Sequence, residues 1–354
     1  MAHGYRAVQW NAFKRMYDLA LVAGAATYVI VFTLATLSVA PPGESYSEIQ
    51  VLIRAFGGAA FGLLHLILMI GPLARLTPRA KPLLYNRRHM GVLCFALALI
   101  HASLVLLWYH GFSDLNPLVS LLVSNPRYAS IGGFPFESLG LLALAILFLM
   151  AATSHDFWNA NLGPVVWKSL HMAVYAAYAL LVAHVMLGVV QYERSLIYPM
   201  LVSAGATALV GLHLTVGWRE WAKDRAAFEM DREGWLRIAP VSELIDGRAK
   251  IIAPPHGERI AIFRNGDRVL ALSNVCRHQG GPLGEGRIID GCVVCPWHGF
   301  QYLPETGRSP PPFVERVDTF RTRIVDGIVY VHPAPCPADA PAAPSLIRES
   351  AHVG

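Results

Sequence analysis

Six long apolar runs dominate the first 218 residues, and short polar stretches separate them. The runs occupy residues 17–39, 51–71, 90–109, 138–153, 170–190 and 199–218. A helix that rises 1.5 Å per residue needs about 20 apolar residues to cross the hydrocarbon core of a bilayer. Each run approaches this length, and the fourth is the shortest. The pattern predicts a six-helix transmembrane bundle over residues 1–218.

The pattern changes after residue 218. Residues 219–233 contain many acidic and basic side chains. This composition predicts a short helical extension that links two domains, and the alternative is an inert solvated spacer. Residues 234–333 contain short β-rich runs between Gly- and Pro-bearing loops, which is typical of a small antiparallel β domain. Residues 334–354 form a Pro/Ala-rich tail that we expect to be disordered. The predicted fold class is therefore α + β multidomain, a six-helix transmembrane bundle followed by a small antiparallel β domain.

Composition and charge support a membrane protein. Hydrophobic residues make up 54% of the chain and charged residues 15%, whereas soluble domains carry closer to a quarter charged residues. The first apolar run is longer than the core of a signal peptide and lacks an A-x-A cleavage site, so we expect it to be a membrane span. Most basic residues outside the β domain fall in loops on one side: Arg6, Lys14, Arg15, Arg75, Arg79, Lys81, Arg87, Arg88, Lys168, Arg219, Lys223 and Arg225.

This charge bias sets the expected orientation. Short loops rich in Lys and Arg stay in the cytoplasm, so both termini and the β domain are predicted to be cytoplasmic. The formal net charge of +5 follows from the same bias. It therefore predicts no nucleic-acid partner.

Two Cys–His pairs in the β domain are the clearest chemical pattern. Cys276-x-His278 and Cys295-x-x-His298 lie in two separate loops. In a Rieske 2Fe-2S centre two thiolates hold one iron and two imidazoles hold the other, so each loop supplies one ligand to each iron. The alternatives are a Cys2His2 zinc site or a four-Cys site that uses Cys292. Zinc fingers pair Cys with Cys and His with His, whereas each half here mixes the two types.

The β domain resembles the Rieske ferredoxin family from about residue 234 to residue 333. The resemblance rests on the turn at residues 263–267 and on the two ligand loops. Rieske proteins of quinol-oxidising complexes carry an extra disulfide and a serine near the cluster, and the matching positions here are Gly281, Trp297 and Phe300, with the Tyr302 hydroxyl two residues further on. Fewer hydrogen bonds to the sulfur atoms lower the potential. The resemblance implies a low-potential, ferredoxin-type centre.

Candidate functional histidines lie within or at the edges of the apolar runs: His65, His89, His101, His171, His184 and His213. Ionisable side chains inside a membrane are energetically costly and point to function by default. Two facing imidazoles can bind a b-type heme from both sides. By helical rise, His101 lies level with His184, and His89 with His171. Alternatives to heme binding remain for three of them. His89 can lie at the membrane interface, and the ring nitrogens of His65 and His213 can form interhelical hydrogen bonds.

The membrane half resembles the ferric reductase-like transmembrane superfamily over about residues 50 to 218, and within it the heme-bearing membrane subunits of bacterial methionine sulfoxide reductase systems. The segments that carry the resemblance are residues 87–93 with His101, and residues 152–171 with Tyr175 and His184. The resemblance implies that His101, His171 and His184 bind heme through the third and fifth spans. It implies one heme and leaves a second open, because His89 departs from the spacing of two-heme members.

Together the two halves predict an electron-transfer protein, an oxidoreductase component of a bacterial-type inner membrane. The chain has no G-x-G-x-x-G fingerprint for a nicotinamide or flavin cofactor, so we expect a cytosolic NAD(P)H-dependent reductase or a ferredoxin as the electron donor. Candidate acceptors are an extracytoplasmic protein, a ferric chelate or a quinone. The alternatives are a membrane-anchored Rieske oxygenase component, which needs a further mononuclear iron site, and a redox sensor or assembly subunit.

Overall fold

The computed structural model describes residues 12–39, 47–154, 158, 162, 164–192, 196–225, 229–297, 299–338 and 340–347. Within them, five helices are long and apolar enough to cross a membrane: Arg15–Ser38, Glu48–Leu76, Arg87–His110, Val166–Val189 and Ile197–Asp224. The helix at the fourth predicted span, Phe136–Ala152, has only 17 residues. The structure therefore confirms five of the six predicted spans by length and composition.

The chain divides into two compact units, one with Trp10–Leu162 and Val166–Leu214 and one that includes Thr215–Gly354. The helices are α1 Ala12–Ser38, α2 Glu48–Leu76, α3 Arg87–Val105 with a π-helical turn Leu106–His110, α4 Pro117–Val123, α5 Phe136–Ala152, α6 Pro164–Met172, α7 Val174–Tyr192 and α8 Ile197–Asp224. Most of α8 belongs to the first unit, and its last turns belong to the second.

The helical unit is apolar both inside and outside. Its core includes Leu64, Cys94 and Leu209, all buried. Helix α2 packs on α3, and α5 packs on α7. Outward-facing residues are also apolar, such as Leu34 on α1, whose surface is 60% exposed. A soluble helix would carry polar residues on this face, so an apolar exterior is typical of helices that contact lipid.

Among the residues that the structure describes, the second unit contains ten strands in two sheets. The strands are β1 Leu236–Pro240, β2 Ala249–Ile252, β3 Ile260–Asn265, β4 Arg268–Ser273, β5 Arg287–Ile289, β6 Cys292–Val294, β7 Gln301–Tyr302, β8 Thr319–Val325, β9 Ile328–Pro335 and β10 Ser345–Leu346. The larger sheet has the order β1-β9-β8-β4-β3-β2, with β10 paired to β4, and the smaller has the order β5-β6-β7. Every pairing between these strands is antiparallel.

Two strands carry the chain into the ligand loops. Strand β4 ends at Ser273, three residues before Cys276, and β6 ends at Val294, directly before Cys295. The hairpin between β3 and β4 turns at Gly266, whose φ of 61° is accessible to glycine at little energetic cost. The hairpin turn therefore falls within the predicted segment 263–267, whose first three residues belong to β3.

The prediction of a disordered tail is wrong for its described residues. Strand β9 extends to Pro335, and Ser345 of β10 pairs with Val269 of β4. The Ala342 amide also donates a hydrogen bond to the Glu305 carbonyl at 2.7 Å. Composition indicated a segment with little capacity to form a core of its own, but it could not reveal that β4 offers backbone partners to a later strand.

Candidate metal centres

His101 on α3 and His184 on α7 face each other in the helical unit. Their ring centres are 6.3 Å apart, and the ring planes are inclined by 83°. In a linear imidazole–metal–imidazole arrangement with bonds of about 2.0 Å, the ring centres stand roughly 6 Å apart. The pair therefore has the separation that one six-coordinate metal between two imidazoles requires.

The backbone of a neighbouring helix fixes each of these imidazoles. His101 Nδ1 lies 2.8 Å from the Ile53 carbonyl oxygen on α2, and His184 Nδ1 lies 2.8 Å from the Phe136 carbonyl oxygen on α5. A carbonyl oxygen only accepts, so each Nδ1–H donates and each Nε2 keeps its lone pair. This hydrogen bond is the usual way in which proteins orient a metal-binding histidine.

The structure places His171 away from this pair. It lies on α6, where its Nδ1 contacts the Trp167 carbonyl oxygen at 2.9 Å and its ring stacks on the Trp167 indole at 3.8 Å. Its Nε2 is 3.5 Å from the Ser154 hydroxyl. His171 and His184 are thirteen positions apart in the sequence, which corresponds to about 20 Å along a continuous helix. Of the three histidines named from the sequence, the structure brings His101 and His184 together.

Each of the other three membrane histidines has its own hydrogen-bond partner. His65 Nε2 accepts from the Tyr178 hydroxyl at 2.7 Å, and His213 Nε2 lies 3.2 Å from the Tyr175 hydroxyl. These contacts join α2 to α7 and α7 to α8, as interhelical hydrogen bonds of membrane bundles do. His89 Nδ1 lies 2.8 Å from both carboxylate oxygens of Asp18 on α1.

The two candidate cysteine ligands lie close together in the β domain. Cys276 and Cys295 are both buried. A Cβ built on Gly281 would lie 2.7 Å from the Cys295 sulfur, so a side chain at this position would collide with the sulfur. The His278 ring stacks on the Phe300 ring at 4.7 Å. His298, the fourth predicted ligand, lies outside the described residues.

Hydrogen bonds prepare the Cys276 sulfur to act as a thiolate. Burial by itself raises the pKa of Cys276, but hydrogen bonds with Cys295, with Tyr302 and with the backbone of the loop outweigh it and lower the pKa to about 7. The Tyr302 hydroxyl accepts from the Arg277 amide at 3.0 Å and lies 3.4 Å from the sulfur. Either the thiol or the hydroxyl can donate in this contact, and the hydroxyl is the donor once Cys276 is a thiolate. Iron–sulfur clusters need thiolate ligands, and this environment favours that form.

Comparisons with known proteins identify both domains. Residues 56–182 match the family described as ferric reductase like transmembrane component, and residues 234–321 match the Rieske [2Fe-2S] domain. The protein-methionine-sulfoxide reductase heme-binding subunit MsrQ of Caulobacter vibrioides is 32% identical over 184 residues, which cover 51% of this chain and 77% of that relative. This chain belongs to the ferric reductase-like heme-binding subunit family, and its membrane domain is fused to a Rieske domain.

Two further relatives cover the two halves separately. The MsrQ subunit of Bordetella pertussis is 30% identical over 210 residues, which are 59% of this chain and 93% of that relative. The anthranilate 1,2-dioxygenase ferredoxin subunit of Burkholderia cepacia is 42% identical over 76 residues, 21% of this chain and 68% of that relative. Family membership implies heme in the membrane domain and a 2Fe-2S cluster in the Rieske domain of a multi-pass bacterial inner-membrane protein.

An ion-pair network holds the first ligand loop of this Rieske domain. Arg277, between Cys276 and His278, makes two contacts with the Glu258 carboxylate at 3.1 and 3.2 Å. Glu258 also accepts from the Ser273 hydroxyl at 2.6 Å. The next residue, Arg259, pairs with Glu220 at 2.9 Å and with Asp224 at 2.5 Å, in the last turns of α8. The sequence reasoning missed Glu258, because it lies 19 residues from Arg277 and belongs to no motif.

Replacing Glu258 with alanine is expected to weaken this loop without removing the cluster. Partly exposed ion pairs in a network contribute up to about 1 kcal/mol, so the Rieske domain should lose roughly that much stability. Bleaching of cluster absorbance during thermal unfolding measures the change. Glu243→Ala is the matched control, because it removes another exposed pair, with Lys250 at 2.8 Å, away from the ligand loops. Equal melting temperatures in the two variants would show that Glu258 does not stabilise the first ligand loop more than an ordinary exposed ion pair does.

Replacing Tyr302 with phenylalanine is expected to lower the reduction potential of the cluster. The hydroxyl hydrogen bond stabilises negative charge on the ligand sulfur, which is greater in the reduced state. A differential effect of about 1 kcal/mol corresponds to about 40 mV for one electron. An EPR-monitored titration measures the shift, with Tyr330→Phe in β9 as the control. An unchanged potential would show that the Tyr302 hydroxyl does not act on the cluster.

Proposed function

We propose that this protein passes electrons between a Rieske 2Fe-2S centre on the cytoplasmic side and a b-type heme in the membrane. The observation that carries the proposal is the His101–His184 pair, with both Nδ1 atoms committed to backbone carbonyls, in a chain that also has two Rieske ligand loops. When bound, both groups exchange single electrons without bond rearrangement. The histidines and cysteines of the two sites would therefore hold the heme and the cluster in place without taking part in bond changes.

In this proposal His101 and His184 hold one heme through Nε2. Cys276 and Cys295 hold one iron of the cluster, and His278 with His298 hold the other. His171 is assigned no ligand role, since its imidazole is engaged with Trp167 and Ser154. The sequence favoured three heme-site histidines, and the geometry supports the first and the last of them. One heme per chain is the expected content.

A cytoplasmic Rieske domain requires an even number of membrane crossings from a cytoplasmic N-terminus. The proposal therefore counts α5 as the sixth span. Its 17 residues rise about 26 Å, slightly less than a hydrocarbon core of about 30 Å, and bilayers adjust to a mismatch of this size. Helix α5 also supplies the Phe136 carbonyl that receives His184, which favours an embedded position. Basic loops on one side support the same orientation.

The donor in this proposal is a separate reductase or ferredoxin, because no nicotinamide-binding motif is present in the sequence. The membrane relatives are heme-binding subunits of a protein-methionine-sulfoxide reductase. This favours an extracytoplasmic protein as acceptor over a ferric chelate or a quinone. The ferredoxin relative likewise favours a small redox protein or reductase as donor.

Cofactor counting with stepwise reduction tests the proposal. Iron, acid-labile sulfide and heme are measured per chain in the purified membrane protein, and optical and EPR spectra are recorded during a potentiometric titration. The proposal predicts a Rieske signal and a low-spin b-type heme, each with its own one-electron transition. A Rieske signal without heme would reduce the membrane domain to an anchor. If an added electron donor reduces the cluster while the heme stays oxidised, the protein is instead a redox sensor.

A further inference from the structure

Two glycines lie directly against the two candidate heme ligands. A Cβ built on Gly57 of α2 would lie 2.9 Å from His101 Nδ1 and 3.0 Å from its Cε1. A Cβ built on Gly140 of α5 would lie 2.8 Å from His184 Cε1 and 2.9 Å from its Nδ1. Carbon atoms do not pack this closely to a ring without displacement. Only glycine therefore leaves each imidazole in its observed place.

Each glycine also exposes the carbonyl that the imidazole uses. Ile53 precedes Gly57 by one helical turn, and Phe136 precedes Gly140 by one helical turn. In a helix the carbonyl of residue i points toward residue i+4, and its second lone pair stays accessible only where the side chain of residue i+4 does not cover it. With glycine at this position, the oxygen can accept a second hydrogen bond from a neighbouring helix.

The two half-sites have the same construction. The histidine and its carbonyl partner are 48 residues apart in both cases. One half-site is built by the packed pair α2 and α3, and the other by the packed pair α5 and α7. The same set of carbonyl, glycine and histidine therefore occurs at one spacing in both half-sites.

We propose that Gly57 and Gly140 are positioning residues of the heme site. They act through His101 and His184, because they free the Ile53 and Phe136 carbonyls to hold each Nδ1–H and so direct each Nε2 toward iron. The inference rests on the proposed function, since it assumes that these two histidines bind heme. It adds two residues to the site and assigns them a common physical role.

Alanine at either glycine separates this role from a general effect on folding. Alanine is a better helix former than glycine, so the helix itself gains stability from the change. The added methyl group displaces the imidazole and its hydrogen bond. Loss of such an orienting contact typically weakens metal binding on the order of 10- to 100-fold. A variant with a sound helix and a defective heme site is therefore the expected signature.

The test compares Gly57→Ala and Gly140→Ala with Gly62→Ala and Gly91→Ala. The last two are matched controls on α2 and α3, where a Cβ would meet nothing within 4 Å. The readouts are heme per chain, the EPR g-values of the ferric heme and its reduction potential, with the Rieske signal as an internal reference. We expect heme loss or altered g-values in the first two variants only. Wild-type heme content and spectra in both would overturn the inference.

Two additional variants keep the outcomes distinguishable. If His184→Gly loses heme while Gly140→Ala and Gly57→Ala match the wild type, the positioning role fails and the proposed function stands. If His184→Gly retains normal heme, His184 is not a heme ligand, so the proposed function fails and the positioning role fails with it. Should Gly140→Ala not accumulate, the double variant Gly140→Ala with His184→Gly removes the colliding ring. Restored accumulation of the double variant supports the collision, and continued failure refutes it.

Discussion

Replacing His184 with glycine is expected to deprive the membrane domain of its heme while the Rieske cluster remains. A b-type heme has no covalent bond to the chain, so its affinity depends strongly on its axial ligands. Loss of one of two imidazoles should lower heme affinity about tenfold or more, since even orienting contacts contribute 10- to 100-fold, and heme per chain should fall with it. Heme is counted by absorbance of the pyridine complex, and the cluster by its EPR signal.

Three controls define this result. Imidazole added to His184→Gly should restore heme binding, because the small ligand can occupy the space that the side chain leaves. His213→Gly removes a histidine that contacts Tyr175, and it should retain heme. His171→Ala should also retain heme, since its ring stacks on Trp167. Normal heme in His184→Gly, or equal heme loss in His171→Ala, would contradict the assignment of the pair.

Replacing Cys295 with alanine is expected to abolish the cluster while heme remains. This cysteine is buried against Gly281, and a Rieske centre has only two thiolate ligands. Acid-labile sulfide and the Rieske EPR signal should both fall to background. Cys292→Ala in β6 is the matched control, because burial raises the pKa of Cys292 and the nearby carboxylates of Asp290 and Glu305 raise it further, which keeps it a thiol.

The same pair of variants decides between metal sites. A four-Cys site would need Cys292 and would lose its metal in the control variant. A zinc site would contain no acid-labile sulfide in the wild type. Retention of the Rieske signal in Cys295→Ala would remove this cysteine from the ligand set.

The sequence predicted most of the features that depend on residues close together in the chain. The spacing of Cys276, His278 and Cys295 indicated the two candidate ligand loops, and the short β-rich runs between such loops indicated an antiparallel β domain. Helical rise predicted that His101 and His184 lie level. Angular position within one helix, however, could not show which imidazoles face each other, because that depends on the rotation of two helices against their neighbours.

Other features depend on contacts between distant residues. The Ile53 and Phe136 carbonyls are invisible in a sequence, since every residue has one. The role of Gly57 becomes apparent only when His101 lies over it. The Tyr302 hydroxyl was noticed near the cluster, but its partner, Cys276, is 26 residues away.

Electron transfer between the two centres is the central claim, and heme reduction by a cytoplasmic donor tests it most directly. Purified wild type and Cys295→Ala are mixed rapidly with NADH and a flavin-containing ferredoxin reductase, and heme absorbance is followed in time. The account predicts that heme reduction follows cluster reduction in the wild type and falls to the background rate in Cys295→Ala, with heme content unchanged. Heme reduction at the wild-type rate without the cluster would contradict it.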